Sequence, residues 1–375
     1  MKKPIQLFFY VSIILAIFFS ACSIPPSSAI PINTTMTGNM PVNVNTPLST
    51  KTLFPENTLV PTNLPSPTNT AFASKPTEAG PQKQYKDMTL CFSQIGDGNS
   101  WMSALTASIK ENAAKLHIKK LTFSDALWKP ILQTSAIQSC IKQGVNVIAF
   151  DPVSQDGWSD VLSAAKKANI PVIVLDQPLK DDPDLKALYA THLGPNNNLE
   201  GNRAAEEMNK LLPDGGTIVE LSGINGSPPA TNRAVGFREK LNNNILILDS
   251  QPGDFTSSKG KTVMKKFLTD YKGKIQGIYS HNDDMAAGAI SAMKEAGLKP
   301  GEIKIVSIDG SRVGFQAMID GWVQADVECS PFIGAQFLDL ALKLMNGETV
   351  SHDIDSDETV FHPEDAKKLI STRWK

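Results

Sequence analysis

Hydrogen-bonding side chains recur along this 375-residue chain directly after short apolar runs. Most residues in these positions are carboxylates or amides: Gln94, Asp125, Asp151, Asp176, Asn282, Asp283, Asp309 and Glu328, together with residues 222–226. Carboxylates accept hydrogen bonds strongly, and amides both accept and donate them. One polar residue after a strand is usually a helix cap. Because the whole set recurs in both halves of the chain, the pattern favours a ligand-binding site.

The apolar runs before these residues have the length and spacing of strands that alternate with helices. A first series is predicted at 88–93, 118–123, 145–150, 172–175 and 188–191, and a second at 217–221, 245–248, 275–280, 303–308 and 325–328. Amphipathic helices are predicted between them, for example over 158–168 and 285–296. Nearly continuous apolar strands are typical of parallel sheets that are covered on both faces.

Two such series predict an α/β fold with two doubly wound, Rossmann-like lobes. The length of the chain suits two domains of this kind. Ligands of doubly wound sheets bind beyond the carboxyl ends of the strands. The polar residues described above fall at those ends, so we expect the site to lie between the lobes.

The amino-terminal segment predicts export. Lys2 and Lys3 precede an apolar run over 5–19, and small residues follow it before Cys22. This pattern indicates a signal peptide, here over residues 1–21. Cys22 resembles the acylated cysteine of bacterial lipoproteins, although Phe19 stands where their signal usually has Leu; an ordinary secretory signal is the alternative. Residues 22–84 are rich in Thr, Pro and Asn, which predicts a disordered tether.

Charge and motifs argue against several classes of protein. The chain has 36 basic and 38 acidic residues, a formal net charge of −2, whereas a nucleic-acid binder needs an excess of basic residues. The sequence contains no nucleotide-binding glycine motif and no spacing typical of zinc ligands, so neither a cofactor nor a metal is expected. Cys91, Cys140 and Cys329 are expected to be buried free thiols, although an exported protein could pair two of them.

Five strand-end motifs carry a resemblance to a known family. They are Asp-Pro-Val at 151–153, Leu-Asp at 175–176, Asp-Phe-Thr-Ser-Ser-Lys-Gly at 254–260, Asn-Asp-Asp-Met at 282–285 and Ser-Ile-Asp-Gly at 307–310. Their order and spacing over about residues 88–366 resemble the type I periplasmic sugar-binding proteins. The nearest likeness is to the ribose- and galactofuranose-binding branch of the ABC-transporter receptors.

The resemblance implies two lobes that are joined by three crossing segments and close on a sugar. Carried onto this sequence, it implies an amino-terminal lobe of residues 85–193 plus 329–352 and a carboxy-terminal lobe of 194–328 plus 353–375. The crossings are then expected near 192–194, 328–331 and 352–357.

The resemblance also assigns residues to the sugar site. Trp101 and Phe255 match aromatic residues that stack on the sugar from opposite lobes. The expected polar ligands, with the strand-end residues Gln94 and Gln177 included, are Gln94, Asp151, Asp176, Gln177, Arg233, Asn282, Asp309 and Glu328. Gln177 and Met102 stand where relatives often carry Arg, so the identity of the sugar does not transfer.

The function implied is a monomeric, lipid-anchored receptor that captures a sugar or polyol and delivers it to an ABC permease. A sensory receptor that presents the solute to a membrane kinase or chemoreceptor is the alternative. A sugar-responsive repressor is disfavoured because an export signal precedes the lobes, and a glycosidase because the family only binds. Since four carboxylates face one guanidinium, sugar acids and phosphates are disfavoured, a neutral polyol is favoured and an amino sugar stays open.

Overall fold

The computed structural model describes residues 82–374. The predicted signal peptide, Cys22 and residues 22–81 of the predicted tether lie outside the described residues. Within the described range, the chain alternates strands and helices and builds two six-stranded sheets. No helix between residues 82 and 374 is long and apolar enough to cross a membrane.

The elements alternate along the chain as the sequence predicts. The strands are β1 (Thr89–Gln94), β2 (Lys120–Asp125), β3 (Val147–Phe150), β4 (Val172–Leu175), β5 (Thr191–Gly194), β6 (Gly216–Ser222), β7 (Ile245–Pro252), β8 (Gly277–Ser280), β9 (Lys304–Asp309), β10 (Ala325–Glu328), β11 (Asp353–Asp355) and β12 (Val360–Phe361). The helices are α1 (Ser100–Lys115), α2 (Pro130–Gln143), α3 (Ser159–Lys167), α4 (Pro183–Lys186), α5 (Asn197–Leu211), α6 (Pro228–Lys240), α7 (Ser257–Asp270), α8 (Asp283–Glu295), α9 (Arg312–Ile319), α10 (Gly334–Met345) and α11 (Pro363–Leu369). Short 3₁₀ turns at Tyr85–Asp87 and Ile370–Thr372 flank this series.

The two sheets share one doubly wound strand order. The first runs β11-β5-β4-β3-β1-β2, with parallel pairs throughout. The second runs β12-β10-β9-β8-β6-β7, where the β10–β12 pair is antiparallel and the others are parallel. Every residue of β3 and β4 is buried, because helices cover both faces of the sheet. The predicted fold class is confirmed.

Side-chain caps fix where the helices begin at the carboxyl ends of the strands. The side chain of Asn99 accepts a hydrogen bond from the backbone N–H of Met102 at the start of α1. Asn282 does the same for Met285 at the start of α8. Each cap satisfies an amide that the first helical turn leaves unpaired. The caps therefore set the positions of the loops that face the opposite lobe.

The chain passes between the two sheets over residues 356–359, which overlap the third crossing expected near 352–357. Residues Asp353–Asp355 pair with β5 in the first sheet, and Val360–Phe361 pair with β10 in the second. We therefore propose the segment 356–359 as the lobe boundary in place of residue 353. The strand predicted at 188–191 lies later, at Thr191–Gly194, because the N–H of Leu188 closes a turn on the carbonyl of Leu185 after α4.

The cysteine prediction is wrong for two of the three residues. Cys91 of β1 and Cys140 of α2 form a disulfide, while Cys329 is a buried free thiol. Their Cα atoms are 6.2 Å apart, within the range that a disulfide spans. The pairing follows from the packing of α2 against β1, which residue spacing alone does not reveal.

Candidate functional site

A cavity of about 150 Å³ lies between the carboxyl ends of the two sheets. It is lined by Asn99, Ser100, Trp101, Met102, Asp176 and Gln177 of the first lobe, Pro195 and Cys329 of the crossings, Asn197, Pro229, Arg233, Phe255, Asn282, Asp284 and Asp309 of the second lobe, and Trp374. Seven of the ten residues predicted to bind the ligand are in this lining: Trp101, Asp176, Gln177, Arg233, Phe255, Asn282 and Asp309. One molecule of liquid water occupies about 30 Å³. The cavity therefore has the volume of about five water molecules, which is enough space for one small ligand.

Two aromatic side chains reach the cavity from opposite lobes. Trp101 lies in the first turn of α1, and its indole Nε1–H donates a hydrogen bond of 2.9 Å to the carbonyl of Cys329 in the second crossing. Phe255 has a left-handed backbone (φ 56°) in the loop between β7 and α7. Its ring covers Gly223, where a β-carbon would lie 1.9 Å from Cζ of the ring. Glycine at this position therefore allows Phe255 to face the cavity.

Asp176 and Gln177 form the polar surface of the first lobe. Asp176 follows β4 in a left-handed conformation (φ 57°), and the Nε2 amide of Gln177 donates to its carboxylate at 3.1 Å. Burial raises the pKa of Asp176 to about 6, although Gln177 and the positive charge of Arg233 oppose the shift. The carboxylate thus titrates near neutral pH at the cavity wall.

Arg233 of α6 is the cation of the cavity lining. Its Nε–H donates to Oε2 of Glu200 at 2.6 Å, and an Nη1–H donates to the carbonyl of His281 at 2.6 Å. The guanidinium carbon also lies 5.9 Å from the ring centre of Phe255, within cation–π range. Burial opposes ionisation, but the charge of Glu200 raises the pKa of Arg233 well above its ordinary value. The buried pair with Glu200 therefore holds the guanidinium of Arg233 beside the ring of Phe255.

Asp309 and Asn282 complete the predicted set in the second lobe. Asp309 ends β9 with φ 137°, and Gly310 follows with φ 70°; burial, and then the charge of Asp283, raise the pKa of Asp309 well above its ordinary value. Asn282 accepts from the N–H of Met285 at 3.0 Å and donates to the carbonyl of Phe255 at 3.3 Å. Its amide thus caps α8 and holds the loop that carries the aromatic ring.

Three predicted residues do not line the cavity. Gln94 donates to the carbonyl of Gly96 at 2.7 Å and accepts from the hydroxyl of Thr106, so the protein occupies both ends of its amide. Asp151 is fully buried, and burial, followed by the charge of nearby Asp176, raises its pKa well above the ordinary value. Glu328 accepts a hydrogen bond of 2.8 Å from the guanidinium of Arg373.

The cavity also contains residues that the sequence reasoning missed. Asn99, Ser100, Asn197, Asp284 and Trp374 line it. The Asn-Asp-Asp-Met motif already included Asp284, and the predicted start of a helix after the first crossing could have pointed to Asn197. Trp374 follows no strand, so the rule that searched strand ends could not find it.

Three acidic ligand atoms meet where the crossings converge. The carboxylates of Glu200 and Glu358 and the thiol of Cys329 lie within 4.8 Å of one another, a spacing that a metal ion could bridge. Arg233 already donates to Glu200, however, and burial together with the charge of Glu200 raises the pKa of Glu358 to about 9. At neutral pH, the guanidinium of Arg233 therefore balances the charge of Glu200, and the carboxyl group of Glu358 is protonated.

Comparison with known proteins points to one family. The sequence profile of the periplasmic binding protein domain matches residues 90–349. The galactofuranose-binding protein of Escherichia coli (strain K12) is 40% identical over 293 residues, which cover 76% of this chain and 91% of that protein.

Two solved structures show the same likeness. A Mycobacterium smegmatis protein in complex with β-D-fucofuranose has a TM-score of 0.67 and 40% identity, over 76% of this chain and 94% of that one. The periplasmic binding protein component of the arabinose ABC transporter of Shewanella sp. ANA-3 was solved with α- and β-L-arabinofuranose bound. It has a TM-score of 0.68 and 38% identity, over 76% of this chain and 95% of that one. Homologues of this chain are sugar-binding transport proteins and not enzymes.

Proposed function

This chain belongs to the periplasmic binding protein family, and we propose from that membership and its cavity that it captures a neutral monosaccharide by hinge closure for an ABC importer. Membership of the family confirms the resemblance that the strand-end motifs carry. The observation that carries the proposal is the opposed pair Trp101 and Phe255, with carboxylates around them, in one cavity between two lobes. Aromatic rings stack on the C–H faces of a sugar, while carboxylates accept hydrogen bonds from its hydroxyls.

The charge of the cavity favours a ligand without negative charge. Three carboxylates line it, those of Asp176, Asp284 and Asp309, and the charge of Arg233 is already balanced by Glu200. Burial raises the pKa of each of the three carboxyl groups. A sugar acid or phosphate would add like charge to a desolvated site. A neutral sugar offers hydroxyls as donors without that cost.

The relatives narrow the proposed ligand to a sugar in its furanose form. The Escherichia coli protein is named for galactofuranose, and the two solved structures hold fucofuranose and arabinofuranose. A cavity of about 150 Å³ suits a single sugar ring. We therefore propose that this chain binds a monosaccharide in its five-membered ring form.

A calorimetric series tests the ligand class. D-galactose, D-galacturonic acid and D-galactosamine are titrated into the full exported protein at two salt concentrations, with L-arabinose as a second neutral sugar. We expect measurable affinity for the neutral sugars and no binding of the acid. A thermal-shift experiment supports the titration, since a ligand at 100 times its dissociation constant stabilises a protein by about 2.7 kcal/mol. Tighter binding of the acid would contradict the proposed charge of the cavity.

We also propose that Cys22 carries a lipid anchor and that an ABC permease receives the sugar. The support is the sequence alone: two lysines precede a short apolar run over 5–19, and Cys22 follows that run after two small residues. Two or more acyl chains hold a protein stably at a membrane. We expect Cys22→Ser to move the protein from the membrane pellet to the soluble fraction. Retention of Cys22→Ser in the pellet would contradict the anchor, whereas the calorimetric series is independent of it.

A further inference from the structure

Trp374, the last residue that the structure describes, is 8% exposed. Its backbone carbonyl accepts a hydrogen bond of 2.8 Å from the N–H of Arg312 at the start of α9. The carboxy-terminal segment is therefore attached to the second lobe.

Arg373 fixes this segment beside the cavity. Its Nε–H donates to the carbonyl of Gly310 at 2.6 Å, and its Nη2–H donates to the carboxylate of Glu328 at 2.8 Å. The guanidinium also lies 4.9 Å from the ring centre of Phe361 and 5.5 Å from that of Phe332. Because Gly310 directly follows Asp309 of the cavity wall, Arg373 ties the terminal segment to that wall.

Trp374 lies where the second lobe approaches the first. It lines the cavity together with Trp101 and Phe255. It also lines a neighbouring groove whose other residues include Ser103 and Ala107 of α1 in the first lobe. Trp374 therefore lies beside residues of both lobes at one side of the cleft.

The indole N–H has no partner among the described residues. Nε1 of Trp374 is buried and makes no hydrogen bond there, whereas Nε1 of Trp101 donates to the carbonyl of Cys329. A buried donor without a partner is unfavourable, and buried indole N–H groups usually have one. Because Trp374 lines the cavity, a ligand that is bound there when the cleft closes can supply the missing acceptor.

We propose that Trp374 is a third aromatic wall of the sugar site, which closes the cleft over the ligand and donates its indole N–H to a ligand oxygen. The inference rests on the proposed sugar-binding function and adds a specificity-determining residue to it. Since the segment is anchored on the second lobe, opening of the cleft would move Trp374 away from the α1 residues with which it shares a groove. The ligand and the closed state therefore stabilise each other through one side chain.

Two substitutions separate the ring from the hydrogen bond in calorimetric titrations with L-arabinose and D-galactose. Trp374→Phe keeps a ring and removes the N–H, and we expect a loss of affinity of about threefold to tenfold, as for one neutral hydrogen bond. Trp374→Ala removes both, and we expect a loss of about tenfold to a hundredfold, as for a well-packed anchor. The matched control is Trp128→Phe, a half-exposed tryptophan outside the cavity lining, which should bind like the wild type.

The outcomes distinguish this inference from the proposed function. If the wild type binds neither sugar in the calorimetric series, the proposed ligand class is wrong. If the wild type binds and Trp374→Ala binds within twofold of it, the role of Trp374 is wrong. Small-angle scattering with and without saturating L-arabinose supplies a second readout. We expect the radius of gyration to fall less on addition of the sugar in Trp374→Ala than in Trp128→Phe, and an equal fall in both would overturn the closing role.

Discussion

The two lobes repeat one strand order, but different side-chain chemistry holds each of them together. In the first lobe, the Cys91–Cys140 disulfide joins β1 to α2. The ion pairs of this lobe, such as Lys343–Asp339, are largely exposed. Exposed pairs contribute little to stability because water and salt screen them. A covalent bond and apolar packing therefore hold the first lobe.

The second lobe instead contains buried ion pairs. Arg233 pairs with Glu200, and both side chains are almost fully buried. Glu220 contacts His281 at 3.0 Å and pairs with Arg238. Burial alone would raise the pKa of Glu220, but its contacts with His281 and Arg238 lower it to about 2. The lobe therefore depends on charges that have been removed from water and must remain paired.

Because the two lobes are stabilised differently, we expect folding and ligand binding to be coupled in the second lobe but not in the first. Neither Cys91 nor Cys140 lines the cavity, whereas Arg233 does. A change to the disulfide should therefore alter the stability of the first lobe and leave the binding wall intact. A change to the Arg233–Glu200 pair should alter stability and affinity together.

The largest effect is expected from Arg233→Met. The substitution leaves Glu200 buried without its partner, which costs about 3–5 kcal/mol of unfolding free energy. Affinity for L-arabinose should fall in the same variant, because the charged donor at the cavity is gone. Chemical unfolding followed by circular dichroism and calorimetric titration measure the two quantities.

The control is the double variant Arg233→Met with Glu200→Gln. It removes both charges, so most of the lost stability should return while the lost affinity does not. If Arg233→Met unfolds at the same denaturant concentration as the wild type, the buried pair does not support the second lobe.

The strand-end rule located part of the cavity for a geometric reason: Asp176, Asn282 and Asp309 line it, whereas Trp101, Arg233 and Phe255 were assigned by the family resemblance. The carboxyl ends of parallel strands meet at one edge of a sheet, so Asp176 and Asp309 had to lie near the opposite lobe. Glu328 also follows a strand but lies outside the cavity lining, where it accepts a hydrogen bond from Arg373, 45 residues later in the chain. Such a long-range partner leaves no trace in local spacing.

The partners of buried groups were likewise hidden in the sequence. Glu200 lies inside α5, and the packing of α5 against α6 buries it beside Arg233. Cys91 and Cys140 are 49 residues apart, and only the position of α2 on β1 pairs them. Periodicity predicts which face of an element is buried, but not which residue of another element it meets.

Removal of the disulfide tests the first lobe. For a loop of 49 residues, the chain-entropy relation gives a stabilisation of about 4 kcal/mol. The double variant Cys91→Ala with Cys140→Ala should lose about 3–4 kcal/mol of unfolding free energy. Its affinity for L-arabinose should stay within twofold of the wild type. Chemical unfolding with and without a reducing agent checks the result, since the reductant should weaken the wild type and leave the variant unchanged.

A large loss of affinity in the disulfide variant would show that the first lobe also couples folding to binding. A wild-type unfolding midpoint that does not respond to the reducing agent would show that the disulfide contributes no stability. Either result would remove the proposed difference between the lobes.

Substitution of the two opposed aromatic residues compares the contributions of the two lobes to sugar binding. Trp101→Ala and Phe255→Ala should each weaken the binding of L-arabinose by about 1–3 kcal/mol, as for a buried aromatic contact. Calorimetric titration measures the loss. Tyr271→Ala is the control, since this ring does not line the cavity. If either substitution at Trp101 or Phe255 leaves the affinity unchanged, the sugar is held by one lobe rather than between two.

The smallest effect concerns the pH dependence of binding, and it is expected to originate in the first lobe. Burial raises the pKa of Asp176 to about 6, so its ionised fraction in the free protein increases between pH 5 and pH 7. An ionised carboxylate accepts hydrogen bonds from sugar hydroxyls more strongly than a neutral one. Affinity for L-arabinose should therefore rise about tenfold, or about 1.4 kcal/mol, over this range and level off above pH 7.

Asp176→Asn should abolish this step, because the amide does not titrate. Asp309→Asn should keep it, because burial and the charge of Asp283 hold the pKa of Asp309 well above its ordinary value. Calorimetric titrations of the wild type, Asp176→Asn and Asp309→Asn at pH 5, 6 and 7 show which lobe carries the titrating carboxylate. A step that persists in Asp176→Asn and disappears in Asp309→Asn would assign the titrating acceptor to the second lobe. The sugar hydroxyls would then donate to a carboxylate of the second lobe, the lobe that also contains the buried Arg233–Glu200 pair.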